Sequence, residues 1–163
     1  MATPTVKRPR FPAGYVENPK ALLSWDQVQQ RLVDARNYWL CTVRPDGRPH
    51  AMPVWGVWAD GKLYWDGSPE TRHARNLAAN PQIVVHLESG DQVVVVEGFS
   101  QPAPKPAAAL GEVLAGEYAR KYEGYAPAPT TWDEGGLYVV TPRSALAWTS
   151  FVDDPTKFVF EGE

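Results

Sequence analysis

Cysteine is nearly missing from this chain: Cys41 is the one example in 163 residues. No disulfide can close within the chain, and a cysteine-rich zinc site is excluded. A reducing, cytoplasmic compartment is the natural setting. Histidine is scarce too, with three residues, at 50, 73 and 86. They fall on separate elements and lack the short ligand spacings of zinc sites, so no metal site is expected. Long apolar runs are lacking as well. None approaches the roughly 18 residues needed to cross a membrane, and none follows the basic N-terminus to form a signal peptide. Nor is there an excess of positive charge: 16 Lys and Arg against 19 Asp and Glu give a formal net charge of −3. That argues against a general nucleic-acid binder, which needs a basic surface for phosphates. Any anion site must therefore be local.

What is present is a single-domain length, 16 prolines and seven tryptophans. The length leaves room for one sizeable core. Residues 1–23, with Pro4, Pro9, Pro12 and Pro19, read as an extended arm, either a disordered tail or a segment packed on a partner subunit. Residues 24–163 read as the folded domain. "SWDQ" starts a helix with a capping box from Ser24 to Gln27. "YWLCTVR" (38–44) alternates as a strand, "PDGR" turns, and "PHAMPVWGVW" (49–58) is a second strand, its prolines placing it at an edge or bulge. "ADGK" is a hairpin turn into "KLYWD" (62–66). A short helix over about 70–79 precedes strands at 82–88 and 92–102. A helix over 106–123 follows, then a Pro- and Gly-rich segment (125–136) that is either a lid or an irregular connection. "LYVVTP", "SALAWTSF" and "TKFVFEGE" are the last strands. There is no internal repeat and no regular βαβ alternation. The pattern is mainly β with peripheral helices, and closure into a small barrel hides the edges of such a sheet.

The stretch "GSPETRHARNLAANP" (67–81) carries the chemistry. A helix start is already partly positive and favours acids. Here Thr71, Arg72 and His73 occupy it, with Arg75 one turn on. A hydroxyl, a planar fork of donors, a ring N–H and the free backbone N–H groups together suit a phosphate. The plainer reading is a surface helix whose Arg72 and Arg75 pair with Glu70 or solvent.

The order "WLCTVRPDGRPHAMPVW", "DGKLYWDGSPETRHARNLAANPQIVVHLE", "VVVVEG" and "ALAW…TKFVF" resembles the pyridoxamine 5′-phosphate oxidase-like superfamily of flavin- and deazaflavin-binding proteins. The resemblance implies a six-stranded Greek-key split β-barrel and a homodimer with the cofactor at the subunit interface. It implies that Thr71, Arg72 and His73 match a Ser-Arg-Lys phosphate triplet, His73 being a weaker, pH-dependent cation. It further implies that His50, Ala51, Met52 and Pro53 line the flavin ring, that Trp65 and Asp66 touch it, and that the partner adds Gln92 and Val93. His50 and Trp55 stand where the oxidases carry an arginine and a lysine. The Arg and His that read pyridoxal phosphate have no clear counterpart in "ALAWTSFVDDPTKFVFEGE". The resemblance is therefore to the superfamily and not to the oxidase activity itself.

The implied function is an FMN-binding oxidoreductase passing hydride between flavin and a small unsaturated or quinone-like substrate. One alternative is a reductase using the deazaflavin coenzyme F420, whose acidic tail would suit a channel of Lys7, Arg8 and Arg10 if the arm folds over the site. A second is a non-enzymatic flavin or tetrapyrrole carrier. Such cofactors bring their own chemistry, so no catalytic side chain is assigned. Trp55, Trp58 and Trp148 read as either core or a wall for a planar substrate, and Tyr138 as either core or a proton donor.

Overall fold

The computed structural model describes residues 3–160. Strand β1 (Thr5–Lys7) pairs antiparallel with a strand at Thr156–Val159 of the same chain. This part of the arm is thus held against its own chain. Phe11 meets Phe151 edge-on, and the Lys20 N–H donates to the Asp153 carbonyl at 2.7 Å. Helix α1 (Trp25–Asp34) starts as its capping box predicts. Ser24 Oγ accepts from the Gln27 N–H at 3.3 Å, and Gln27 Oε1 accepts from the Ser24 N–H at 2.9 Å. Trp25, Val28 and Leu32 form its buried face.

Strands β2 (Asn37–Val43), β3 (Pro49–Trp55), β4 (Val57–Ala59) and β5 (Lys62–Asp66) follow, then helix α2 (Arg72–Ala79) and strands β6 (Gln82–His86) and β7 (Val93–Pro102). Helix α3 (Ala108–Lys121), strand β8 (Leu137–Trp148) and strand β9 (Thr156–Val159) complete the described chain. On β2 the alternation holds: Tyr38, Leu40 and Thr42 are buried, while Trp39, Cys41 and Val43 face outward. Asp60 and Gly61 take positive φ values of 48° and 67° in the turn from β4 to β5, as a tight hairpin turn requires.

The strands join one antiparallel sheet in the order β1-β9-β8-β7-β6-β2-β3, and β5 pairs both β4 and β8. Because β3 runs into β4 through Gly56 alone, the path β8-β7-β6-β2-β3/β4-β5 returns to β8. The architecture is therefore mainly β and barrel-like. Nine strands are present among the described residues. Strands β1 and β9 lie outside the circuit, and the expected strand over 49–58 is divided in two. The two strands expected over "LYVVTP" and "SALAWTSF" are a single strand, β8. Its register against β7 shifts between Glu97 and Gly98, so Arg143 is the extra residue of a β-bulge. A side chain at Gly98 would overlap the Thr141 carbonyl, which is why glycine faces the bulge.

The break at Gly56 has a tertiary cause. Its N–H donates to Tyr122 Oη at 2.8 Å, and its carbonyl accepts from Lys121 Nζ at 2.8 Å. Both partners come from the end of α3, so this peptide is drawn out of the sheet ladder. A Cβ at position 56 would sit 2.8 Å from the Tyr64 carbonyl oxygen. Lys121 Nζ also donates to Tyr38 Oη at 3.1 Å and lies 4.8 Å from the centre of the Tyr38 ring. Burial pulls the Lys121 amine down to about 8 from 10.5.

Between those two values the unfolded chain holds a proton that the folded chain has released, so stability rises with pH from about 8. The rise ends near pH 10. There the unfolded tyrosines ionise while burial keeps Tyr38 and Tyr122 protonated in the fold. Urea unfolding of Lys121→Met at pH 7, 8, 9 and 10 is expected to lack the rise seen in the parent protein. Parallel profiles for the two proteins would remove Lys121 as its source.

Two apolar clusters fill the molecule. The larger joins α1 and α2 to the barrel interior around Tyr38, Leu40, Leu63, Trp65 and Phe158. The smaller lies under α3 around Leu114, Tyr118, Tyr122, Trp132 and Leu137.

Candidate cofactor site

Thr71 ends the loop after β5 and caps α2. Its Oγ1 accepts from the Ala74 N–H at 3.4 Å and donates to the Ser68 carbonyl at 3.0 Å. His73 Nε2 lies 3.2 Å from the same oxygen. The hydroxyl's one proton is already used, so the imidazole Nε2–H is the donor in that contact. The His73 ring is buried, edge-on to Trp65 at 5.1 Å and stacked toward His50 at 6.4 Å. Burial and the neighbouring His50 pull its pKa below the ordinary imidazole value. His73 is therefore a neutral donor at pH 7, not the cation that its place in the triplet implied. Arg72, by contrast, is exposed. The ion pairs among the described residues include neither Arg72 nor Arg75, so neither guanidinium is neutralised by Glu70. The N–H groups of Arg72 and His73, in the first turn, have no acceptor within the helix.

The inner face of α2 meets the inner face of the β2–β3 hairpin. Thr42 and His50 are register partners there. Asn76, fully buried, donates from Nδ2 to Thr42 Oγ1 at 2.9 Å. Asn76 Oδ1 and His50 Nδ1 are buried without a partner among the described residues. Thr42 and Asn76 were not singled out from the sequence. The signal was available: each is a polar residue on the buried face of its own element, in phase with Leu40 and with His73 and Leu77. A buried polar group costs stability unless it is hydrogen-bonded, so such positions mark a built cluster.

β3 is the edge of the sheet and pairs only with β2. Ala51 and Pro53 are exposed, and Met52 and Trp55 are 41% and 43% exposed. The free edge of this strand offers backbone groups to a planar ligand. The other expected contacts are placed differently. Trp65 is fully buried, stacked on Tyr138 at 4.1 Å, and donates from Nε1 to Ser100 Oγ at 3.4 Å. Its side chain supports His73 and presents no surface. Asp66 is half-buried and turned to the segment after α3, where its Oδ2 accepts from Tyr125 Oη and from Trp132 Nε1.

That segment is no open lid. Trp132 is 2% exposed in the second core, and Lys105 pairs with Asp133 at 2.7 Å. Val93 begins β7, and Gln92, just before it, lies near Arg31 and Asn37. A single chain does not bring them to α2. Trp58 is buried in the core, and half-buried Trp148 packs on Phe151. Lys7, Arg8 and Arg10 line a cleft on the outer face of the sheet and do not cover the α2 cluster.

Among the described residues no group of three or more His, Cys, Asp or Glu is placed to hold a metal. No helix among them is long and apolar enough to cross a membrane.

Known proteins share this architecture. The conserved hypothetical protein Rv2991 from Mycobacterium tuberculosis superposes with a TM-score of 0.63 at 22% identity, over 81% of this chain and 89% of that one. An F420 reductase superposes at 0.54 and 23% identity, over 83% and 98% of the two chains. HutZ, the heme storage protein of Vibrio cholerae, gives 0.56 and 16%, over 72% and 89%. Such identities establish the fold alone. No curated protein sequence matches the chain. Residues 24–148 match the pyridoxamine 5′-phosphate oxidase family, and the match spans both the α2 cluster and the β3 edge. The chain belongs to that family.

Proposed function

We propose that the protein is an FMN-binding oxidoreductase that passes hydride between the flavin and a small unsaturated or quinone-like substrate. The observation that carries this reading is the unneutralised Arg72 at the head of α2, beside the exposed edge of β3 and the half-satisfied His50–Asn76 cluster. Arg72 and the first N–H groups of α2 hold the phosphate. Thr71 keeps the helix start in place, and neutral His73 locks Thr71. The backbone of Ala51 and Met52 faces the ring system, and His50 Nδ1 is available for a polar edge. Bound flavin supplies hydride chemistry, and the chain's part is to orient the ring and limit its access to water.

A homodimer suits this site. Met52, large and apolar, is 41% exposed on the edge strand β3 beside the exposed Ala51 and Pro53. A second copy laid on that edge would cover it and close the ring side of the site. The same packing could bring Gln92 and Val93 of the partner toward the cofactor.

The test is a titration of the purified protein with FMN, with the deazaflavin coenzyme and with haem, followed by flavin fluorescence and absorbance. Saturable quenching at one FMN per chain is expected, with a dimer in sedimentation velocity. Many rounds of reduction by a nicotinamide donor and reoxidation by a quinone mark an enzyme, whereas a single stoichiometric round marks a carrier. Saturation by the deazaflavin or by haem and not by FMN would overturn the cofactor assignment.

A further inference from the structure

We propose that the cleft beneath the N-terminal arm binds an organic anion with an apolar body, a carboxylate, phosphate or sulfonate on an aromatic or branched frame. The sequence "VKRPRF" (6–11) sets three cations on the arm, in a chain whose net charge is −3. When β1 pairs with β9, Lys7 falls directly opposite Lys157. Like charges facing each other across a strand pair are destabilising. A lysine on an edge strand such as β1 is explained by the need to block edge-to-edge pairing. That reason does not extend to Lys157, because β9 lies between β1 and β8. Places where a fold keeps a locally unfavourable arrangement are where function is to be sought.

The cleft is large enough for a ligand, about 680 Å³, within the range of small-molecule sites. Its floor is one continuous register row, Val95, Leu146, Lys157 and Lys7, running from β7 to β1 on the outer face. Val95 and Leu146 make the floor apolar, Phe11 forms a wall, and Lys7, Arg8, Arg10 and Lys157 form a cationic end. None of these four cations is in an ion pair among the described residues. Arg8 reaches only the carbonyls of Asp153 and Lys20, at 3.4 Å each. The one carboxylate in the cleft, Glu97, accepts from Ser144 Oγ at 2.7 Å. The excess positive charge is therefore uncompensated, and it sits beside an apolar floor. That pairing selects an amphiphilic anion over a simple inorganic one.

The cleft is distinct from the α2 cluster. His50 and Thr42 point to the inner side of the sheet, whereas Val95 and Leu146 point outward, with β6 and β2 intervening between β7 and β3. Within one chain the two share no residue.

The probe is 8-anilinonaphthalene-1-sulfonate, an aromatic sulfonate that fluoresces when bound. Saturable binding at one equivalent per chain is expected, weakened by salt and unaffected by saturating FMN. In Lys7→Gln/Lys157→Gln the dissociation constant is expected to rise at least tenfold, while Lys62→Gln/Arg48→Gln, with the same loss of charge elsewhere, is expected to bind as the parent does. Arg10→Gln supplies a second variant at an exposed, unpaired residue that the fold does not need, and it is expected to weaken binding severalfold. Unchanged affinity in both cleft variants, displacement of the probe by FMN, or dissociation of a dimer by the double substitution would each overturn the proposal. The last result would identify the cleft as a contact between copies of the chain.

Discussion

Arg72→Ala is expected to weaken FMN binding by about 1.5–3 kcal/mol, the range for a lost hydrogen bond to a charged group. That is roughly a ten- to hundred-and-fifty-fold rise in the dissociation constant. The residue is exposed and holds no ion pair among the described residues. Its removal therefore leaves the fold intact, and the whole effect should appear in the ligand. Arg75→Ala, one turn on, is the natural comparison. It is equally exposed but lies beyond the first turn, where the pull of a helix start has faded. Flavin fluorescence titrations of the two variants side by side decide the matter. Equal affinities for Arg72→Ala and the parent would remove the head of α2 as the phosphate site. A thermal midpoint unchanged by the substitution would show that a drop in affinity is not a folding defect.

Trp65→Ala is expected to cost about 3–5 kcal/mol of folding stability, as for other buried aromatic truncations. The side chain is fully buried and stacked on Tyr138 at 4.1 Å. Alanine would leave a cavity between β5 and β8, take the edge contact from His73 and leave the buried Ser100 hydroxyl without its indole donor. Trp65→Phe keeps an aromatic ring for the stack and loses the N–H and part of the indole volume, so it should lose less than alanine does. Urea unfolding of the two variants reads the difference, and a Trp65→Ala protein within 1 kcal/mol of the parent would contradict the placement of this ring. The resemblance to flavin proteins put Trp65 against a cofactor. Its burial instead makes it the support behind His73, and its effect on binding should follow its effect on the fold.

Local chemistry made much of the fold readable. The Ser24–Gln27 box, the alternation of Tyr38, Leu40 and Thr42, and the Asp60–Gly61 turn are each fixed by residues close in sequence, and each is where the pattern put it. What was not readable depends on distant groups. Gly56 divides the expected strand over 49–58 because α3 delivers Tyr122 and Lys121 to its peptide, more than sixty residues away in the chain. Pro142 reads as the end of a strand, yet β8 continues through it because the adjacent bulge absorbs the irregularity. The candidate site follows the same rule. The motif around Arg72 was visible, but the neutral state of His73 follows from burial by Trp65 and His50, which no spacing displays. Thr42 and Asn76 were visible only as polar residues out of place.

The double role of β8 bears on how the molecule opens. One edge of this strand pairs with β7 along its length, and the other is shared between β5 and β9. These partners come from well-separated parts of the chain, so the closing contacts are nonlocal and slow to form. Once formed, they tie the β4–β5 hairpin, the β6–β7 hairpin and β9 to a single element. Fraying at β3 disturbs one pairing, whereas loosening β8 releases three at once. The barrel therefore behaves as one cooperative unit, with the slack confined to the edge strands, β1 of the arm and β3, the strand on which the cofactor would rest.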